Sequence, residues 1–217
     1  VLHQPSFDPA TDARTFQLAV NDTAMVVIGL PLIEELAAHA WPGVRLAFRV
    51  PEIDVIASQT ERGEVDLLPA SERIAPATMK ARPLIHGRFV MAQRKGHPRG
   101  NVPLDLDAYC GLQHVLVTEV GGSMRGYVDD NLASQGRQRN VVLSVEKFML
   151  VPEILRNSNL VCTLPSMLMS RFADVLDMFE LPFSDRGFGL RLAWHPRNHG
   201  DPAVSWLRAL LEKVVPG

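Results

Sequence analysis

Long apolar runs are missing from this 217-residue chain. The longest stretch near the N-terminus without a charged or strongly polar side chain, Ala24 to Ile33, is too short for a membrane-spanning helix, which needs about 20 residues. A basic excess is missing too. Lys plus Arg is 22 against 24 for Asp plus Glu, a net charge of −2, whereas a domain that grips a phosphate backbone carries a positive surplus. Cysteine is scarce: Cys110 and Cys162 lie far apart with no CxxC spacing, which leaves two readings, a pair of buried reduced thiols or one disulfide. The first residues, Val1-Leu2-His3-Gln4-Pro5, show no basic start followed by an apolar stretch, so no signal peptide is expected and the balance leans toward the cytoplasm. A chain that begins on Val also reads as a fragment or a processed form. Low complexity is absent as well. With 47% hydrophobic and 21% charged residues the composition is that of an average globular protein, and the length suits one large domain or two small ones.

What is present is alternation. Thr15 to Val20 reads as a short strand, and Asn21-Asp22-Thr23 supplies helix-capping side chains. Ile33, Leu36, Ala37 and Ala40 then fall at helical spacing, with Pro31 expected to kink or restart the helix and Trp41-Pro42-Gly43 to end it. Val44 to Val50 alternates apolar and charged residues as a half-buried strand does; Asp54 to Arg62 reads as a helix capped by Gly63, and Val65 to Leu68 as a strand. This order predicts a parallel sheet with helices on its faces. Pro83 to Arg94 is a further strand, and after Lys95-Gly96-His97-Pro98 a second unit begins. It reads as a short helix (104–110), a strand (114–118), a helix opened by Gly122-Ser123 and stopped at Gly136, a strand (141–145), a helix from Lys147 to Asn157, a strand (160–164) and a helix from Pro165 to about Val175. Leu190 to His195 is the last strand. Asp201-Pro202 caps an amphipathic helix with Val204, Leu207, Leu210, Leu211 and Val214 on one side. No short-period repeat is evident. The pattern is α/β, with two similar lobes.

No catalytic set stands out. His195 and His199 have the spacing of a metal pair, but Pro196 and Gly200 place them in a turn rather than on a helix. Ser123 follows two glycines, yet Arg125 stands where a nucleophile elbow needs glycine, so a helix-capping serine is the better reading. Cys110 and His114 have no third partner, and the GGSMRG run lacks the Lys-Ser/Thr of a phosphate loop. What remains is a binding architecture. Helix N-termini expose unpaired amide hydrogens and a partial positive charge that favour carboxylates. Thr23 and Ser123 stand at two such starts, and each is equally open to a plain capping role. Lys147, beside Phe148 at a third, puts a cation next to an aromatic ring, which an aromatic acid needs; the alternative is a solvated lysine.

Several segments carry a family resemblance. Phe16 to Leu68, with HAWPGVRLAF and TERGEVDLL, resembles the start of the effector-binding domain of LysR-type transcriptional regulators. QRKGHP (Gln93–Pro98) resembles the turn that opens that family's second subdomain. SNLVCTLPSMLM (Ser158–Met169) and LRLAWHPRNHGDPAVSWLRALL (Leu190–Leu211) resemble its later strand–Pro–helix and its closing strand–helix. The ending is most similar to the branch with nodulation regulators and regulators of naphthalene and nitroaromatic breakdown.

The resemblance implies an α/β fold of two Rossmann-like subdomains of periplasmic-binding-protein type II, joined by two crossover strands. The first would comprise residues 1–88 with 191–217, the second 89–190. It also implies a small-molecule effector, an aromatic carboxylate, held in the interdomain cleft, and no enzyme activity, cofactor or metal. Carried over by position, Asn21, Thr23, Ser71, Glu119, Gly122, Ser123, Lys147 and Phe148 would face the effector. Lys147 stands where related aromatic-acid sensors have a His, so the effector's identity does not carry over. The family's winged helix-turn-helix and linker helix are expected to be missing from this chain, so DNA would be held only through that absent part, and the domain would self-associate as a dimer or tetramer through the first long helix and a strand of the second lobe. No membrane partner is implied. Two other classes stay in view: a periplasmic solute-binding protein of a transporter, and an enzyme on the same fold, a small lyase or deaminase relative, for which Asp22, Glu119 and Lys147 would be the available acids and base.

Overall fold

The computed structural model describes residues 6–71, 74–118 and 121–215. The chain divides into two compact units, one formed by the residues up to His86 together with those from Gly189 onward, the other by Gly87–Phe188. In chain order the first unit holds β1 (Arg14–Ala19), α1 (Asp22–Ala24), a π turn (Met25–Gly29), α2 (Leu30–Ala38), β2 (Val44–Arg49), α3 (Ile56–Arg62), β3 (Leu68–Ala70) and β4 (Lys80–Gly87). The second holds β5 (Phe89–Arg94), α4 (Leu106–Gly111), β6 (Gln113–Val117), α5 (Tyr127–Ser134), β7 (Asn140–Val145), a 3-10 turn (Phe148–Leu150), α6 (Val151–Arg156), β8 (Val161–Pro165), α7 (Ser166–Met169), a 3-10 turn (Ser170–Phe172) and β9 (Leu176–Phe179). β10 (Phe188–Trp194), a 3-10 turn (Pro196–Asn198) and α8 (Pro202–Val214) complete the first unit.

In the first unit β1 and β2 run parallel, in register from Arg14 opposite Val44 to Ala19 opposite Arg49. Leu18 bridges Leu67 in the same parallel sense, just ahead of β3. Phe16, Leu18 and Ala19 of β1 are fully buried. Asn21 caps the following helix, its Oδ1 accepting the Ala24 N–H at 2.8 Å. The helix restarts at Pro31, one of the two outcomes expected of it: a π turn gives way there to α2. Leu30 N–H reaches back five residues to the Met25 carbonyl, and the proline, which has no N–H to donate, falls in the first turn of α2. Gly63 ends α3 at φ 77°, the left-handed conformation expected of it. Phe7, Phe16, Trp41 and Trp206 cluster at centroid separations of 5.1–5.9 Å, with Phe16 stacked on Trp206 and the other pairs edge-on or tilted. Asp201 caps α8 through the Ala203 and Val204 N–H groups, and α8 buries Val204, Leu207, Leu210 and Leu211.

The second unit is a five-stranded sheet in the order β7-β6-β8-β5-β9. β6 pairs in parallel with β7 and β8, whereas β5 is antiparallel to β8 and β9. β10 is likewise antiparallel to β3. The all-parallel sheet expected from the sequence is therefore corrected to mixed sheets. Alternation predicts parallel pairing only for strands joined through a helical crossover, as β1, β2 and β3 are, and β6, β7 and β8. Two further corrections concern strands. The single strand expected over Pro83–Arg94 is two, β4 in the first unit and β5 in the second. The break falls at Arg88, next to Gly87, where a Cβ would stand 2.4 Å from the Phe188 ring. The helix from Pro165 ends by Phe172, and β9 follows it.

Candidate ligand-binding site

Parallel strands send their carboxyl ends to one edge of a sheet, and ligands of α/β domains gather there. In the first unit β1 and β3 both end at that edge. The first delivers Asn21 and Thr23, the second Ser71. Asn21 spends its side-chain oxygen on the helix cap. Thr23, the second residue of the helix, is 6% exposed, and its Oγ1 is buried without a hydrogen-bond partner among the described residues. A hydroxyl so placed carries a desolvation penalty of about 1–3 kcal/mol. It sits in the first turn of a helical run that continues through residues 22–38. Ser71 is half-buried, and its carbonyl accepts from Ile74 and Ala75.

In the second unit β6 and β7 leave their sheet side by side, held by Thr118 N–H donating to the Val145 carbonyl at 3.0 Å. The segment after β6 carries Gly122 and Ser123; that after β7 carries Lys147 and Phe148. A Cβ on Gly121 would come within 2.5 Å of Glu146 Oε1, so the absence of a side chain lets the two segments approach closely. Gly122 takes φ 75° and is exposed, Lys147 is exposed, and Phe148 is half-buried. Glu119 lies outside the described residues.

One expectation fails here. Gly122-Ser123 does not open a helix: α5 starts at Tyr127 with Gly126 as its N-cap. Ser123 Oγ instead closes a local turn, donating to the Arg125 carbonyl at 2.7 Å and accepting the Arg125 N–H at 3.2 Å. The helix start belongs to Asp129, whose carboxylate accepts the Gly126 N–H at 2.8 Å. Sequence reasoning missed this residue, although an acid at the third helical position is a known signal of a helix start.

Asp129 ties the loop to a buried network. Arg139 donates to both its oxygens, at 2.8 and 2.9 Å, and approaches the Tyr109 hydroxyl at 3.4 Å. That hydroxyl lies 2.7 Å from Thr163 Oγ1. Burial alone would raise the Asp129 carboxyl, but the Arg139 hydrogen bonds and charge, with the Gly126 N–H, outweigh it and hold it below the ordinary range. His114 is fully buried against Tyr109, with Nε2 2.8 Å from the Tyr109 carbonyl. Burial first, and the Arg139 charge second, pull it down to about 4.

The sulfur and histidine candidates do not assemble chemistry. Both cysteines are free, burial raises the Cys110 thiol, and burial pushes Cys162 up to about 12, the opposite of an activated thiolate. His195 and His199 flank a 3-10 turn, where His195 Nδ1 accepts the Arg197 N–H at 3.3 Å.

Two α/β units with polar groups at the carboxyl edge of each sheet define a small-molecule-binding domain of the periplasmic-binding-protein type II kind. Residues 9–216 match the LysR substrate binding domain family, so the chain belongs to that family. It is 29% identical over 211 residues to the HTH-type transcriptional activator NahR of Pseudomonas putida, covering 96% of this chain and 70% of that protein. Against nodulation protein D 1 of Rhizobium tropici it is 28% identical, covering 97% and 68%. Its fold is similar to that of the regulatory domain of MexT, a transcriptional activator in Pseudomonas aeruginosa, with a TM-score of 0.81, 28% identity and coverage of 95% and 100%. It is a ligand-sensing regulatory domain, not an enzyme, and the match to regulators disfavours the transporter alternative. Among the described residues no helix is long and apolar enough to cross a membrane.

Proposed function

We propose that this chain senses a small aromatic carboxylate through Asn21, Thr23 and Ser71 of the first unit and Glu119, Gly122, Ser123, Lys147 and Phe148 of the second. The observation that carries this reading is the Thr23 hydroxyl, buried without a hydrogen-bond partner among the described residues at a helix N-terminus. A carboxylate placed there accepts from the hydroxyl while the positive end of the helix favours its charge. Lys147 and Phe148 offer a cation beside a ring, which an aromatic acid fits. Binding shifts the protein between conformations only as far as the ligand prefers one of them. In the cytoplasm, that shift changes how self-associated copies hold DNA through a helix-turn-helix region of the kind named in the NahR relative.

Thermal unfolding against a panel of aromatic carboxylates, phenolics, aliphatic acids and amino acids tests this. A ligand at about 100 times its dissociation constant adds about 2.7 kcal/mol, a shift of several degrees. An aromatic acid is expected to give a saturable shift that Thr23→Val abolishes. A shift with amino acids alone overturns the ligand class, and a full shift in Thr23→Val overturns the site.

A further inference from the structure

The two buried arginines among the described residues, Arg139 of the second unit and Arg208 of the first, are treated very differently. In the second unit Arg125, Arg137 and Arg139 line a depression of about 310 Å³, and each has its own aspartate: Asp130, Asp107 and Asp129. In the first unit Arg208 of α8 is only 5% exposed and has no carboxylate within ion-pair distance among the described residues. Its terminal nitrogens reach neutral groups, the His199 carbonyl at 3.0 Å, Ser205 Oγ at 2.7 Å and His199 Nδ1 at 3.4 Å. Its guanidinium lies 4.3 Å over the Trp194 ring. A buried charge left without a counter-charge is costly, and proteins normally neutralise it.

Further cations surround the same spot. Arg82 of β4 approaches the Trp194 ring at 5.8 Å, and its one carboxylate partner among the described residues is Glu212 at 2.5 Å. Lys80, also of β4, has no carboxylate partner among the described residues. Lys80 and Arg82 stand two residues apart on one strand and so share a face, and Lys80 foremost, then burial, then Arg208 and Arg82 make His199 release its proton more readily than a free imidazole. Two donors here also lack acceptors: Arg208 Nε and Trp194 Nε1 are both buried without a hydrogen-bond partner among the described residues. Trp194 ends β10, next to Ala193, which is antiparallel to Leu68 at the start of β3. The cluster is therefore at the amino edge of the sheet, opposite the edge that carries Thr23 and Ser71.

We propose that Lys80, Arg82, Arg208 and the Trp194 indole N–H form a second site on the first unit, one that takes a small oxyanion, a carboxylate or a phosphate. Three cations facing one carboxylate, with donors left over, match an acceptor-only group with two or more oxygens. An anion seated there removes the uncompensated charge of Arg208 and ties α8 to β4 and β10.

The test is a titration of this chain with inorganic phosphate, and separately with benzoate, at constant ionic strength balanced by chloride. The indole N–H resonance of Trp194 and the ring resonances of His199 report the site, and the Thr23 amide serves as the control for the other edge. Saturable movement of Trp194 and His199 is expected, with apparent affinity falling about tenfold or more when Lys80→Gln and Arg82→Gln remove two charge-assisted contacts. Both substituted residues are exposed, so the fold survives even if Arg208→Gln does not. Saturation with both probes, or with one alone, supports the site and identifies which oxyanion it prefers. Movement that is linear, equalled by chloride, or unchanged in the Lys80→Gln/Arg82→Gln variant overturns it.

Discussion

Each unit contains a buried carboxylate held by an arginine, and the two pairs are built to different standards. In the first unit Asp66 accepts one bond from Arg14 at 3.1 Å and another from the Gln17 N–H at 2.8 Å, but the Arg14 side chain is 37% exposed. In the second, Arg139 is 2% exposed and grips both oxygens of Asp129. Water can replace Arg14; nothing can replace Arg139. The first pair fastens the start of a strand at the surface, whereas the second sits inside the unit and sets where the loop after β6 ends and α5 begins. The largest expected effect follows from this. Asp129→Ala strands a buried guanidinium and is expected to cost about 3–5 kcal/mol, while Asp66→Ala leaves Arg14 where water can solvate it and is expected to cost about 1–2 kcal/mol, much of it from the Gln17 N–H that loses its acceptor. Urea unfolding of the two variants checks the ranking. Equal losses would mean that Arg139 is as accessible to water as Arg14.

The same network gives the second unit a pH sensitivity of its own. His114 is held at about 4, below the 6.5 of an unconstrained imidazole, so the folded state favours the neutral ring. The stabilisation is fully present above pH 6.5 and is lost as the pH falls from there to about 4, a change of about 3 kcal/mol. Asp129, whose carboxyl is lowered, contributes above its unfolded value of 3.8 and fails only below it. The two windows are therefore separate. Stability measured between pH 7 and 4.5 is expected to fall in the parent chain and to lose most of that slope in His114→Gln. Amide exchange localises the loss: β6 and α5 lose protection first, while β1 of the first unit, whose core contains no buried histidine among the described residues, holds longer.

At the two carboxyl edges the expected effects are smaller and separate stability from binding. Asn21→Ala removes a helix cap and is expected to cost about 1 kcal/mol. Thr23→Val, two residues on, removes a hydroxyl that has no partner among the described residues, and is expected to leave stability unchanged or raise it by about 1 kcal/mol while ligand-induced stabilisation disappears. Thermal unfolding with and without an aromatic acid separates the two. If Thr23→Val destabilised the free chain, its hydroxyl would be part of the fold rather than of the site.

How much of this was legible beforehand depends on how local each signal is. The run from β1 to β3 could be read because every boundary carries its own chemistry: the Asn21 cap, Trp41-Pro42-Gly43, and Gly63 in its left-handed turn. β9 could not, because Leu176 and Phe179 become a strand only by pairing with β5, a segment distant in sequence. The start of α5 was misread because Gly121, Gly122 and Ser123 look like a cap; the N–H that needs capping is at Gly126, and its acceptor is Asp129. At the candidate site the capping role of Asn21 was visible from residue type. The solitary Thr23 hydroxyl was not, since it depends on what fails to reach it. The anion cluster was invisible for a related reason: Lys80, Trp194 and Arg208 are each ordinary alone, and only the fold leaves them without enough acids.

The smallest stability effect belongs to Lys147, and it puts the comparison of the two edges to a direct test. The Thr23 hydroxyl is buried before any ligand arrives, so the first unit's edge is set in place and a ligand gains by using it. Lys147 is exposed on a segment that starts a 3-10 turn, and holding it against a carboxylate costs side-chain freedom. Lys147→Ala is therefore expected to change the stability of the free chain by less than about 0.5 kcal/mol. If Lys147 is the anion partner, the same change weakens every acidic ligand while leaving uncharged phenolics alone, because only the charge has gone. If affinity for all acids is unchanged, the anion is held by the first unit's helix start alone, and the second unit contributes shape through Phe148 rather than charge.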